Sequence, residues 1–583
     1  MGYGKQARVR DILSDPAARG VAEKYIPALA WSPALAHMGF LPFSAVLHAQ
    51  GAALGPDEAE ALWDELGTLA GTSRAPADAP YLEPARDYEP DSVPRGSARA
   101  ALAGAAEQWG VTELVIDGPS HGNPFVDVEL SARFTDDQGH GTSVGGFYDG
   151  DGVYRIRFCA PRAGTWTYVT TSTARSLDGL RGAFEAAPPG PGNHGPVGVA
   201  DRFHFAYQDG TRFLPAGTTC YAWTHQPEAL QERTLAALAA APFRKLRMCV
   251  FPKSYLFNTN EPARYPFARD QAGGWDFTRF DPEFFRHLER RVGQLTGLGI
   301  ETDLILFHPY DRWGFAEMPR AADDRYLRYL VRRLGAHRGV WWAMANEYDL
   351  MASKTAEDWE RLAGVVREND HVGHLTSIHN CFGFYDHGRP WITHCSVQRT
   401  DVYRTAENTT QWRESYGKPV VIDECGYEGD IDQGWGNLSG RELVRRCWEG
   451  AVRGGYVGHG ETYLNEREEL WWSKGGELTG DAPPRIGFLL EVTAAAPGGV
   501  LEPLPGDWDV AWGGTADYRI AYFGFGRPRY RDITMPPGTR WHADVIDTWN
   551  MTVDRQPGTF AGRFRIELPG REFMAIRFVR SRG

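Results

Sequence analysis

Between residues 201 and 500, short apolar runs and helix-patterned stretches take turns along the chain. Eight runs read as buried strands: "FLPAGTTCYAW" (213–223), "KLRMCVF" (245–251), "TDLILFHPYD" (302–311), "VWWAMANE" (340–347), "HLTSIHN" (374–380), "ITHCSVQ" (392–398), "PVVIDEC" (419–425) and "YVGHGETY" (456–463). Stretches between them, such as "PEFFRHLERRVGQLTGLG" and "RYLRYLVRRLGAH", place apolar residues at helical spacing. Eight strands alternating with helices over roughly 300 residues fit a (β/α)8 TIM barrel, so the expected class is α/β with that barrel at 201–500. The fifth-to-sixth connection has the weakest helical pattern and is the junction open to a loop. The competing arrangement, a doubly wound sheet, usually carries a Gly-rich phosphate turn after its first strand, and this chain has none there.

At 583 residues the chain exceeds what one core holds. Residues 105–200 switch to alternating apolar and polar residues, broken by turns such as "YDGDG", as in an immunoglobulin-like β-sandwich. The same alternation returns over 501–583, predicting a C-terminal β-sandwich. Residues 1–70 are helical in pattern, with Asp57 where one helix would start, and 71–104 read as a Pro- and Ala-rich linker.

Barrel chemistry sits at the carboxyl ends of the strands. The polar residues ending the eight runs are Tyr221, Trp223 and His225; Arg247; His308, Tyr310 and Asp311; Asn346 and Glu347; His379 and Asn380; His394 and Gln398; Glu424; and His459 and Glu461. Two acids follow the most apolar strands, Glu347 on the fourth and Glu424 on the seventh, which face each other across a closed eight-strand ring. Paired carboxylates are what glycoside hydrolysis needs, one protonated for the leaving oxygen and one ionised. A gap of about 5–5.5 Å gives retention and about 6.5–9.5 Å gives inversion. Asn346 is placed to bond a sugar 2-hydroxyl, and Arg247 to keep Glu424 ionised. Asp423 is expected on the opposite strand face, as a structural residue. Sugar recognition is the further role considered for the strand-end histidines, and stacking for Trp223, Trp471 and Trp472. Lys474 and Glu461 are read as ligands of hydroxyls or of an acidic substituent. Ordinary packing or surface pairing competes with each of these assignments. Metal-dependent barrel hydrolases begin with His-x-His on strand one, whereas "CYAWTHQ" has no such pair, so neither a metal nor a cofactor is expected.

These motifs resemble the clan A glycoside hydrolases, with Asn-Glu ending strand four, Glu ending strand seven and Arg on strand two. The wider set is similar to an apiosidase-like bacterial group with a β-sandwich before and after the barrel. The stretches "VTELVIDGPSHGNPFVDVEL", "PAGTTCYAWTHQ", "LRMCVFPK", "LILFHPYDRWGF", "WWAMANEYDLM", "VVIDECGYEG", "RGGYVGHGETY" and "LWWSKGG" carry it over roughly residues 107–583. The resemblance implies retaining catalysis, with Glu347 as acid/base and Glu424 as nucleophile. It also hints at plant-derived glycans as substrate. Clan A members often place a Tyr on strand six or a Trp on strand eight, where this chain offers His394 with Gln398 and His459 with Glu461. The N-terminal helical segment resembles small helical modules attached to other bacterial glycosidases.

Net charge is −13 without a basic run, which disfavours nucleic acid and anionic membranes as partners. No apolar stretch approaches a membrane span, and the N-terminus lacks the apolar core of a secretory signal. Seven scattered cysteines, without a CxxC, read as reduced. The expectation is a cytoplasmic, exo-acting glycosidase working on oligosaccharides or glycosides from plant or microbial glycans. A homo-oligomer is compatible with the flanking sandwiches. The competing functions are a carbohydrate-binding barrel without activity and a metal-dependent hydrolase.

Overall fold

The eight apolar runs become parallel strands because each is covered on both faces. In the computed structural model, which describes residues 3–5, 7–30, 38–49, 54–69, 79–401 and 403–581, they are β1 (Gly217–Thr219), β2 (Lys245–Cys249), β3 (Glu301–Ile305), β4 (Val340–Ala343), β5 (Thr376–Ser377), β6 (Cys395–Gln398), β7 (Val420–Glu424) and β8 (Tyr456–Val457). Strands β1 to β5 form one parallel sheet in chain order, and β6 to β8 a second. A parallel bridge between Thr218 and His459 links the first strand to the chain just past the last. The Thr393 N–H donates to Thr376 O at 2.9 Å, joining β5 to the approach of β6.

Helices follow most strands and present apolar faces to them. The helix Pro282–Gly297 starts at Asp281, whose carboxylate accepts from the Glu283 N–H at 3.0 Å, and buries Phe284, Phe285, Leu288, Val292 and Leu295. Thr355 and Asp358 form a reciprocal cap at the start of Ala356–Asn369. Among the described residues no helix lies between β5 and β6, the junction where the helical pattern was weakest. Trp341 and Trp342 show the strand alternation directly. Trp342 packs outward with Trp359 and Val366, whereas Trp341 packs with Phe205, Phe213 and Val421. Phe205 and Phe213 come from a three-stranded antiparallel sheet at 197–213.

Before these strands, two four-stranded antiparallel sheets share a core of Leu114, Ile116, Phe134, Phe158 and Trp166. The expected linker is not a free tether over its second half. Residues 100–103 pair with Val111–Asp117, Tyr88 is buried in the shared core, and Glu89 accepts from the Ser176 N–H at 2.7 Å. Residues 71–78 of that expected linker lie outside the described residues. Past the last helix, a six-stranded and a two-stranded antiparallel sheet enclose Ile533, Trp541, Ile566 and Phe578. The N-terminal segment folds as short helices around Val9, Ile12, Ala22, Phe43, Leu62 and Leu66. Its fourth helix begins at Pro56, one residue before the expected Asp57. Among the described residues no helix is long and apolar enough to cross a membrane.

Candidate active site

Residues at or beyond the strand ends contribute side chains to one open cavity of about 930 Å³. Tyr221 follows β1, Lys253 and Tyr255 follow β2, Tyr310 follows β3, and Asn346 and Glu347 follow β4. Gln398 and Glu424 end β6 and β7, and Trp472 enters after β8. The two acids proposed from sequence therefore face the same space.

Glu347 lies where β4 breaks off, with φ 53° and ψ 55°, a left-handed conformation that costs a non-glycine residue on the order of 1–3 kcal/mol. The chain is clamped on both sides of it. Asn346 N–H donates to Phe307 O at 3.0 Å, and Tyr348 N–H donates to His379 O at 2.9 Å. The Tyr310 hydroxyl donates to Glu347 Oε2. Burial, reinforced by the negative charge of Glu424, pushes the Glu347 carboxyl up to about 7, against the opposing pull of Tyr310 and Lys253.

Glu424 has the opposite electrostatics. Burial pushes its carboxyl up, but His379, Arg247 and Tyr221 together outweigh that and hold it well below the usual carboxylate range. Arg247 Nη1 donates to Glu424 Oε1 at 2.7 Å and to the Tyr221 hydroxyl at 2.9 Å. The Tyr221 hydroxyl lies within reach of Glu424 and of Asn346 Oδ1, at 3.1 Å from the latter. His379 Nε2 stands 3.3 Å from Glu424 Oε1. Its Nδ1 meets Ser396 Oγ at 3.0 Å, and Ser396 donates to Asp423 at 2.6 Å. Because that hydroxyl gives its proton to Asp423, it accepts from His379.

Asp423 departs from the expectation that it turns to the other strand face. It pairs with Lys245 at 2.6 Å, whereas Glu424 pairs with Arg247, and Lys245 and Arg247 are two residues apart on one strand. Both acids thus reach side chains on the same face. The reason is local: the β6–β7 register shifts between Val397 and Gln398, so Gln398 sits opposite Glu424. A shifted register breaks the two-residue alternation. Asp423 is nonetheless structural in its contacts, since Lys245 also binds Asp303 at 2.7 Å.

Of the other residues singled out in the sequence, Tyr310, Asn346, Gln398 and Trp472 line the cavity, and Arg247 and His379 support Glu424 from beneath. The rest are not brought there. Trp223 is fully buried, its indole N–H donating to the Met248 sulfur at 3.1 Å. His225 stacks on Phe284 beside a separate hollow. His308 is buried with Nε2 against Phe251 O at 3.2 Å. Asp311 accepts from the N–H groups of Trp313, Gly314 and Ala316 and shapes its loop. Asn380 bonds the Gln398 backbone on both sides, at 3.1 Å each way. His394 packs under Trp341 and Phe205. Trp471 donates to Thr218 Oγ1 at 2.9 Å, and Lys474 donates to Glu468 O at 2.9 Å.

His459 and Glu461 belong to another cluster. Glu428 and Glu461 are paired across neighbouring short parallel strands, and with His459 they offer three buried ligand atoms within 4.8 Å of one another. Both carboxylates already accept backbone N–H groups from Thr479, Gly480, Asp481 and Ala482. These bonds anchor the start of the helix Ala482–Ala494.

Lys253 was not among the residues chosen from the sequence. Its ammonium lies 3.5 Å from the Tyr221 ring centre, 4.2 Å from Tyr310 and 4.4 Å from Trp472. Burial pulls its pKa down to about 8. The available signal was "FPK", where Pro252 ends the strand run and leaves a charged residue next in line. Tyr221 was noted at a strand end but given no role. Met38, Phe40 and Leu41, far away in the chain, complete the cavity wall.

Known proteins resemble this chain over most of its length. Residues 200–475 match the family model described as "Apiosidase-like, catalytic domain". Residues 105–173 and 508–579 match two families described as domains of unknown function (DUF5060 and DUF5605). A Bacteroides vulgatus protein assigned to the glycoside hydrolases shares 39% identity over 82% of this chain and 100% of its own, with a TM-score of 0.78. A family 5 glycoside hydrolase from the same species shares 15% identity over 67% of this chain and 94% of its own, with a TM-score of 0.53, a likeness of fold alone. The comparison with curated proteins returned no match.

Proposed function

Because the chain belongs to the apiosidase-like group of the clan A glycoside hydrolases, we propose that it is a retaining glycosidase with Glu347 as acid/base and Glu424 as nucleophile. The observation that carries this reading is the opposite tuning of two carboxyls on one cavity. Glu347 is pushed up to about 7, and Glu424 is held well below the usual range. Paired groups with divergent proton affinities are what acid and nucleophile roles demand.

In the first step Glu424 attacks the anomeric carbon, and Glu347 gives its proton to the leaving oxygen. Arg247 and Tyr221 keep the attacking oxygen charged and aimed. In the second step Glu347, now ionised, takes a proton from water as that water displaces Glu424. The Asn346 side-chain nitrogen makes no hydrogen bond among the described residues, which frees it for the sugar 2-hydroxyl. That contact strengthens as positive charge grows on the ring.

The surrounding architecture is read to match. The chain-order parallel sheet, the bridge from Thr218 to His459 and the Thr393–Thr376 bond support one closed (β/α)8 barrel over 201–500. The antiparallel sheets at 105–200 and 501–583 are taken as β-sandwiches, after an N-terminal helical module. Exo action on a glycoside or short oligosaccharide suits a cavity walled by residues 38–41 and by the loop after β2.

The test is a screen of chromogenic glycosides followed by azide rescue. Glu424→Ala loses turnover on every substrate found. Glu347→Ala loses it on poor leaving groups and keeps it on activated ones. Azide then restores the two variants with products of opposite anomeric configuration. Retained turnover in Glu424→Ala defeats the assignment.

A further inference from the structure

Part of the cavity wall is made by a segment that precedes every family match, since those matches begin at residue 105. Met38, Phe40 and Leu41, all half-buried, line the cavity together with Glu347 and Tyr310. The Phe40 ring lies 4.9 Å from the Tyr310 ring, and the Tyr310 hydroxyl is bonded to Glu347. Only one aromatic ring therefore separates the N-terminal segment from the acid.

This wall is built in rather than draped. Arg10 N–H donates to Gly39 O at 3.1 Å, and Val9 N–H donates to Leu41 O at 2.9 Å. Phe43, two residues on, is fully buried and meets Trp63 edge-on. Arg8 and Arg10 both pair with Glu317 in the loop after β3, the latter at 2.9 Å, which fixes the segment to the same loop that carries Tyr310.

In a glycosidase the proton donor stands on the leaving-group side of the bond it breaks. Arg247, Tyr221 and His379 surround Glu424 with polar groups, whereas the side chains of Met38, Phe40 and Leu41, on the wall beside Tyr310, are apolar. We propose that Met38, Phe40 and Leu41 form the leaving-group subsite, and that it takes a flat apolar ring face. An aryl aglycone and the C–H face of a second sugar share that chemistry. This rests on the glycosidase reading above, and its test is separable from that reading.

Binding of 4-nitrophenol and of methyl β-D-galactopyranoside to the full chain is measured by ligand-observed NMR, in the wild type, Phe40→Ala, Phe40→Trp and Glu424→Ala. Phe40→Ala weakens the ring-face ligand by about tenfold, the order expected for one lost stacking contact. Phe40→Trp restores it, which excludes a misfolded segment as the cause. Dependence on Phe40 for 4-nitrophenol alone identifies an aryl aglycone, and dependence for the glycoside, alone or with 4-nitrophenol, identifies a sugar face. Equal binding to wild type and Phe40→Ala, or no binding of either probe to the wild type at millimolar concentration, overturns the proposal. Turnover surviving in Glu424→Ala would instead remove the catalytic reading, while Phe40-dependent binding still reports the subsite.

Discussion

Arg247 Nη1 meets Glu424 Oε1 at 2.7 Å, on the same face of β2 that gives Lys245 to Asp423. Two successive acids on one strand are each matched to a buried cation, which is possible only because the register slips beside them. Arg247→Met leaves Glu424 buried without its cation. Loss of a buried charge partner of this kind is expected to lower kcat/KM by roughly 10²–10³-fold. The acid limb of the pH–rate profile should also move up, because Glu424, left with His379 and Tyr221 alone, protonates more readily without the guanidinium. Steady-state kinetics from about pH 3 to about pH 9 would check both effects together, the acid limb rising into that window in the variant.

With Glu347 as the proposed proton donor, activity is expected to fall as pH rises through about 7, where that carboxyl ionises. The positive charge of Lys253 lowers the Glu347 pKa. Lys253→Met therefore moves the alkaline limb to higher pH. An unmoved or lowered limb would show that the ammonium does not act on this carboxyl.

Asn346→Ala should reduce kcat/KM by about 10²-fold on a substrate with a 2-hydroxyl, since that bond is strongest in the transition state. A 2-deoxy analogue should lose far less. Equal losses on the two substrates would place the effect in Glu347, its chain neighbour, rather than in sugar contact.

Glu289 ties the N-terminal sheets to the helical layer, pairing with Arg157 at 2.8 Å and with Arg333 at 2.5 Å. Burial pushes its carboxyl up, but the two guanidinium groups outweigh that and bring it down to about 2. The folded value is below the unfolded one, so the stabilisation is present above about pH 4.5 and is lost as pH falls towards 2. Glu289→Gln takes one of two carboxylates from each arginine, Arg157 keeping Glu113 at 2.6 Å and Arg333 keeping Asp149 at 2.7 Å, and should cost about 1–3 kcal/mol. Urea unfolding at pH 7 measures the loss, and repeating it at pH 3 should show a smaller gap between variant and wild type.

Legibility in the sequence varied residue by residue. Asn346, Glu347 and Glu424 stood out because each ends a run too apolar to be anything but covered strand, and polar residues at such ends face the carboxyl rim. The same reasoning also selected Trp223, His225, His394, His459 and Trp471, which the structure buries elsewhere. A strand end shows that a side chain sits near the rim, but not whether it turns into the cavity or into the packing around it. Lys253 and Tyr221 both follow strand runs in the sequence, but their roles come from neighbours on other strands, which no local pattern reports. The Asp423 parity argument failed for a related reason, since the slip beside it depends on how β6 and β7 pair.

By itself the sequence determined the succession of covered strands and amphipathic helices, the alternating sheets on either side, and the two acids at the rim. Those follow from spacing along one chain, where apolar periodicity reads out burial directly. Tertiary structure alone decided that Phe40 stands beside Tyr310, that Lys253 sits among three aromatic rings, and that the two carboxyls titrate apart. Proton affinity depends on the charges and solvent within a few ångströms, and those neighbours come from chain positions tens to hundreds of residues away.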